Sequence, residues 1–134
     1  MRDSNQNIIT YITFSGNAEE AMNFYVSIFP DSKILELTRI GENDRGEKGK
    51  VLNGTFTLRN QLFMAMDVEK SYAPSFTWAI SLCVMYTDAK EFDTTFEKLS
   101  SGGNVLMGPE PIYNLKKVAW VTDKFDVTWQ LVLE

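Results

Sequence analysis

Residues 7–30 read NIITYITFSGNAEEAMNFYVSIFP, and the change of pattern inside this stretch decides the fold. Asn7 to Phe14 is rich in β-branched and aromatic residues and stops at Ser15-Gly16-Asn17, the mark of a strand that ends in a turn. Asn17 is placed to cap a helix, Glu19 and Glu20 suit the positive end of its dipole, and Ala21, Phe24, Tyr25 and Ile28 follow at helical spacing. Pro30 cannot continue a helix and ends it. This one stretch therefore predicts strand, turn and helix in that order.

Working outward, Ser32 to Ile40 reads as a second strand, and Gly41 to Lys50 as a charged loop with no hydrophobic pattern, the segment expected to be most mobile. Leu52, Gly54, Phe56 and Leu58 alternate with Asn53, Thr55 and Thr57, the period of a half-buried strand. Arg59-Asn60 turns the chain into Gln61 to Val68, and Glu69 to Phe76, with Pro74, reads as a connector. After it the order recurs: strand Trp78 to Met85, helix Ala89 to Leu99, Gly102-Gly103, a short strand Asn104 to Met107, and a loop holding Pro109 and Pro111. Strands Lys116 to Thr122 and Val127 to Leu133, joined through Asp123 to Asp126, close the chain. A β-α-β-β-β unit is thus written twice. A shift of 71 places Asn17 on Asp88, Ala18 on Ala89 and Tyr25 on Phe96, and a shift of 66 places Asn60 on Asp126 and Met64 on Gln130. The reading is one domain over 1–134, with module 1 about 7–68 and module 2 about 78–134.

Composition bounds the chemistry. A chain of 134 residues, 44% hydrophobic and formally −5, reads as one soluble globular domain large enough to fold without a disulfide or structural metal, in keeping with its single cysteine, Cys83. No basic start with a long apolar run marks a signal peptide, so a cytoplasmic location is expected. Apolar stretches such as Trp78 to Met85 fall well short of the ~20 residues that span a bilayer, so no membrane role is expected. With 13 Lys+Arg against 18 Asp+Glu, the electrostatics oppose nucleic-acid binding. The absence of histidine removes Ser-His-Asp triads, Cys-His dyads and imidazole metal sites together. One cysteine likewise excludes thiolate zinc sites.

With these elements in place, the chain resembles the vicinal oxygen chelate superfamily, the fold of glyoxalases, bleomycin-resistance proteins and dihydroxybiphenyl dioxygenases. More narrowly, it resembles the PhnB-like branch, which carries a 3-demethylubiquinone 3-methyltransferase-like label. Ile9 to Pro30, Gly102-Gly103 and Trp120 to Leu131 (WVTDKFDVTWQL) carry the resemblance, which covers nearly the whole chain. It implies an α+β fold of two pseudo-symmetric β-α-β-β-β modules forming a curved, cup-shaped mixed sheet with the helices outside, usually in a homodimer. In metal-using relatives the cup holds a divalent ion, and the ligand positions fall here on Thr10, Met64, Ser81 and Gln130. Of these only the Gln130 amide oxygen suits such an ion. A slip of one residue would swap faces and bring in Ile9, Tyr11, Phe63, Ala65, Ile80, Leu82, Trp129 and Leu131, which contain no better ligand. Asp126 stands where relatives often carry glycine, and aspartate tolerates a left-handed backbone better than most residues.

If Thr10 faces the cup, the period of two points Ile12 and Phe14 inward, with Leu62, Met64 and Met66 on another strand. Ser81, Cys83, Met85 and Gln130 complete the wall, and Trp120 is a candidate for stacking on a ligand, with core or dimer interface as its other readings. Such a wall is soft and apolar, with a few hydrogen-bonding groups to orient a molecule, though methionine and phenylalanine on one strand face are also ordinary core. The function read from this is metal-free binding of a hydrophobic or aromatic small molecule, in the cup or at the dimer groove, by sequestration without a cofactor. The competing readings are a metal-dependent lyase, isomerase or dioxygenase of the same superfamily, the labelled methyltransferase, and a dimeric interaction module whose core is filled. The methyltransferase reading is weakened because Ser15-Gly16-Asn17 supplies one glycine where a nucleotide-binding turn is glycine-rich. Cys83 reads as an inert thiol and Tyr113 as a loop residue able to close over the cup.

Overall fold

The computed structural model describes residues 5–134, and the chain divides into a unit ending at Pro74 and a second running from Ser75 to Glu134. In the first, β1 (Thr10–Phe14) leads into α1 (Ala18–Ile28), β2 (Lys33–Arg39), β3 (Val51–Leu58) and β4 (Gln61–Asp67). The second repeats this as β5 (Leu82–Tyr86), α2 (Ala89–Ser100), β6 (Asn104–Ile112), β7 (Leu115–Thr122) and β8 (Thr128–Leu133). Each unit holds one four-stranded sheet, ordered β1-β4-β3-β2 and β5-β8-β7-β6. The outer pairs β1/β4 and β5/β8 are parallel and the others antiparallel, so the α+β class and the paired β-α-β-β-β plan stand.

Helix α1 covers one face of its sheet by burying Ala18, Ala21, Met22 and Tyr25 over β3 and β4, where Phe56 and Ala65 are buried. Burial of each large side chain contributes on the order of 1.5–3 kcal/mol. Close approach is possible because β3 places Gly54 beneath the helix: a Cβ there would lie 2.6 Å from the Met22 methyl carbon. In the second unit α2 buries Phe92, Thr95 and Leu99, and the Tyr86 hydroxyl donates to Thr95 at 2.7 Å.

Several local expectations are corrected. Asn17 precedes α1 but its side chain makes no capping bond. The buried Asp67 carboxylate, at the end of β4, accepts from Ala18 N at 3.0 Å and Gly16 N at 2.9 Å, and its second oxygen accepts from Val51 N at 2.9 Å. A cap supplied from about 50 residues away leaves no local signal. Asp88, by contrast, caps α2 in the ordinary way through Lys90 N and Glu91 N. Strand β1 begins at Thr10 instead of Asn7, and β5 begins at Leu82, because Trp78-Ala79 forms a turn. Strand β6 runs through Pro109 and Pro111, read from sequence as loop; an edge strand with register shifts tolerates residues that cannot donate.

The turns match the reading. Arg59 and Asn60 both take positive φ, 48° and 63°, as a tight hairpin with a primed turn requires. Asp126 sits at φ 71° in the turn before β8. The 41–50 loop is tied at its neck by Ile40 N to Lys50 O at 2.7 Å, and Arg45 donates to the Asp67 carbonyl at 2.9 Å. No helix among the described residues is long and apolar enough to cross a membrane.

Candidate functional site

Strand pairing assigns each side chain to a face. Gly54 lies under α1 and pairs with Ala65, which pairs with Ile12, and Phe14 pairs with Asp67. Thr10, Ile12 and Phe14 therefore lie on the helix-covered side, and Phe14 is 1% exposed. This corrects the expectation that they share the open face with Leu62, Met64 and Met66, which do lie opposite the helix. The residues of β1 on that face are Tyr11, paired with Met64, and Thr13, paired with Met66. Tyr11 donates to Asn53 Oδ1 at 2.9 Å, and burial pushes its phenol up despite the opposing pull of Arg45.

The error has a definite origin. Three residues separate β1 from α1, but only two separate β5 from α2. An offset counted from the helices therefore puts Thr10 on Ser81, whereas strand pairing makes Tyr11 the counterpart of Cys83. One residue of loop length inverts the face.

In the second unit the expected residues come together. Tyr86 touches α2 and pairs with Leu133, so Leu82, Trp129 and Leu131 lie on the helix side, while Cys83, Met85, Gln130 and Trp120 lie on the open side. Gln130 donates through Nε2 to the Ser81 hydroxyl at 2.9 Å. Cys83 approaches Met85 sulfur to sulfur at 3.8 Å, both exposed. Burial of the thiol's charged form pushes Cys83 up, so it is a poor thiolate at neutral pH. Trp120 packs edge-on to Trp78 with ring centroids 5.8 Å apart. Trp129 is core: it is 1% exposed and donates to Asp123 at 2.9 Å.

A recess missed by sequence reading lies in the first unit between the start of α1 and the 41–50 loop. It encloses about 450 Å³ lined by Gly16, Asn17, Lys50, Asp67 and Lys70 among others. Its backbone donors at Gly16 and Ala18 are already taken by Asp67, which leaves them no capacity for an anion. Glu19 pairs with Arg39 at 2.7 Å, and that hydrogen bond holds its carboxyl below the usual range, consistent with a surface ion pair.

The resemblance puts the metal-ligand positions on Thr10, Met64, Ser81 and Gln130; strand pairing leaves Thr10 on the helix-covered side, with Tyr11 beside Met64 and Cys83 beside Gln130 on the open faces of their own sheets. Hydroxyls, a phenol, a thioether, one thiol and one amide supply no carboxylate or imidazole and do not fit a divalent ion. Among the described residues no group of three or more Cys, Asp or Glu side chains could hold a metal.

Two β-α-β-β-β units with these faces define a protein of the vicinal oxygen chelate fold. The model of the family described as 3-demethylubiquinone-9 3-methyltransferase matches residues 6–132, and the chain belongs to this PhnB-like family. A PhnB protein of Bacillus cereus with the same methyltransferase description is 43% identical, with a TM-score of 0.90 over 96% of this chain and 100% of that one. A Pseudomonas aeruginosa protein shares the fold at 23% identity and a TM-score of 0.85, over 97% of this chain and 98% of that one. A fosfomycin resistance protein of Mesorhizobium loti shares it at 13% identity and 0.61, over 100% and 94% of the respective chains. Among curated proteins none matches the chain.

Proposed function

We propose that this protein binds an apolar or aromatic small molecule without a metal, on the helix-free face of its sheets, and acts as a homodimer in the cytoplasm by sequestration. The observation that carries the reading is the open face of the second unit, where Met85 and Cys83 are exposed beside the Ser81–Gln130 hydrogen bond and the Trp78–Trp120 pair. Flexible sulfur-bearing side chains accommodate irregular shapes, and a few polar groups fix orientation. Ligand surface buried there would contribute at roughly 25 cal/mol per Å2. The donor set supports binding without a metal, since none of the four positions supplies a carboxylate or imidazole.

Methyl transfer is less well supported. A cofactor at the β1–α1 turn would need free backbone donors, and Asp67 occupies them. Native mass spectrometry of protein purified without chelators tests the reading. A metal-free dimer that carries or takes up an organic adduct is expected; a stoichiometric divalent ion overturns it.

A further inference from the structure

Two polar atoms on the open face of the second unit are buried with no hydrogen-bond partner among the described residues: the Trp120 indole Nε1 and the Thr128 hydroxyl. Thr128 is 2% exposed. Trp120 pairs with Gln130, and Thr128 is two residues before Gln130 on the same strand. Trp120 and Thr128 are therefore diagonal neighbours on one face, a spacing an indole side chain can span. Every other buried indole or carboxylate discussed above is satisfied: Trp129 bonds Asp123, and Asp67 and Asp123 each accept three donors.

We propose that Trp120 and Thr128 form a recognition pair for a neutral oxygen acceptor on an aromatic ligand, a carbonyl above all. The inference rests on the small-molecule reading given above and specifies the ligand's chemistry. An indole N–H can only donate, so the missing partner must accept; a hydroxyl can donate to the same atom. Native proteins seldom leave such groups orphaned, because the lost solvation is not repaid. The charge at the paired positions favours a neutral acceptor over an anion. Across the sheet Trp120 faces Met107, and Val118 faces Glu110, so the one ionisable group at these paired positions is acidic. A carboxylate desolvated beside Trp120 would meet no counter-charge at these paired positions, the lysine of the same strand face, Lys116, lying four residues away. Trp78, edge-on to Trp120 and 64% exposed, supplies an aromatic surface for the rest of the molecule. Gln130, whose amide nitrogen is engaged by Ser81, stands beside the pair as a further polar contact.

The test compares 1-indanone with indane, which differ by one carbonyl, by titration monitored through tryptophan fluorescence and the indole N–H resonances. The ketone is expected to bind about tenfold more tightly, the worth of one or two well-placed hydrogen bonds, and to shift the Trp120 indole N–H. Trp120→Phe should abolish the discrimination between ketone and hydrocarbon, and Thr128→Val should reduce it by several-fold. Near-UV circular dichroism verifies that both variants fold, and the wild-type indole shift stands without either. Equal binding of the two probes with an unmoved Trp120 signal overturns the proposal and leaves the small-molecule reading intact, as does a trapped water already bonded to that N–H. If neither probe binds, the proposal falls, and the small-molecule reading is judged on the native mass spectrum alone.

Discussion

Trp129 donates its indole N–H to the buried Asp123 carboxylate at 2.9 Å, and the other oxygen of that carboxylate gathers the backbone N–H groups of Phe125 and Val127 at 2.8 and 3.1 Å. One side chain thus shapes the β7–β8 turn and anchors the core tryptophan of β8. Asp123→Ala strands three donors and is expected to cost about 3 kcal/mol or more, whereas Asp123→Asn, which keeps one acceptor oxygen, should cost about half as much. Urea denaturation of the three proteins measures the difference.

Asp67 does the corresponding work in the first unit, where it substitutes for the cap that Asn17 fails to provide. Asn17→Ala should change stability by less than about 0.5 kcal/mol, Asp88→Ala by about 1 kcal/mol, and Asp67→Ala by about 3 kcal/mol. The order of the three denaturation midpoints checks the assignment. A large loss at Asn17 would refute it.

Glycine is required at Gly103 for want of space, because a Cβ there would collide with the Thr122 carbonyl. Gly103→Ala is expected to cost about 3 kcal/mol or more, since backbone must move. At Gly54 the obstacle is the Met22 side chain, 2.6 Å from the added carbon. Gly54→Ala should cost about 1–3 kcal/mol, and Met22→Leu in the same chain should recover part of it, a non-additivity that thermal unfolding can read.

Two groups give pH signatures. Glu19, held below the usual carboxylate range by Arg39, stabilises the fold above its unfolded value near 4.5 and loses that contribution as pH falls through its lower folded value. Glu19→Gln should flatten this part of the acid limb of stability against pH. The effect is small because both partners are exposed.

Cys83, whose thiol is pushed up by partial desolvation, should react with iodoacetamide more slowly in the folded than in the unfolded protein at pH 8. The two rates should converge as pH rises through the folded value. Mass spectrometry of time points follows both.

Much of this architecture was legible because it is local. The pattern change after Phe14, the Arg59-Asn60 turn and the left-handed tolerance of Asp126 each state their geometry within a few residues. The open-face set of the second unit was legible for the same reason, since alternation from Ser81 to Met85 is preserved. What could not be read is long-range. Asp67 caps a helix from another strand, and among the described residues Trp120 and Thr128 lack partners because of what surrounds them, not because of what they are. The face of β1 was lost to a single residue of loop length, a quantity that helix alignment hides.

The parallel pairing of β1 with β4, and of β5 with β8, orders the assembly of each unit in time. Thr10 waits for Phe63 and Leu82 for Trp129, about 50 residues later, while β2, β3 and β4, like β6, β7 and β8, can meet through neighbouring turns. Loop-closure entropy is lower for the meanders, so they can assemble early, and the opening strand of each unit docks last. The strands that begin each unit in sequence would then be the last to gain hydrogen-exchange protection during refolding.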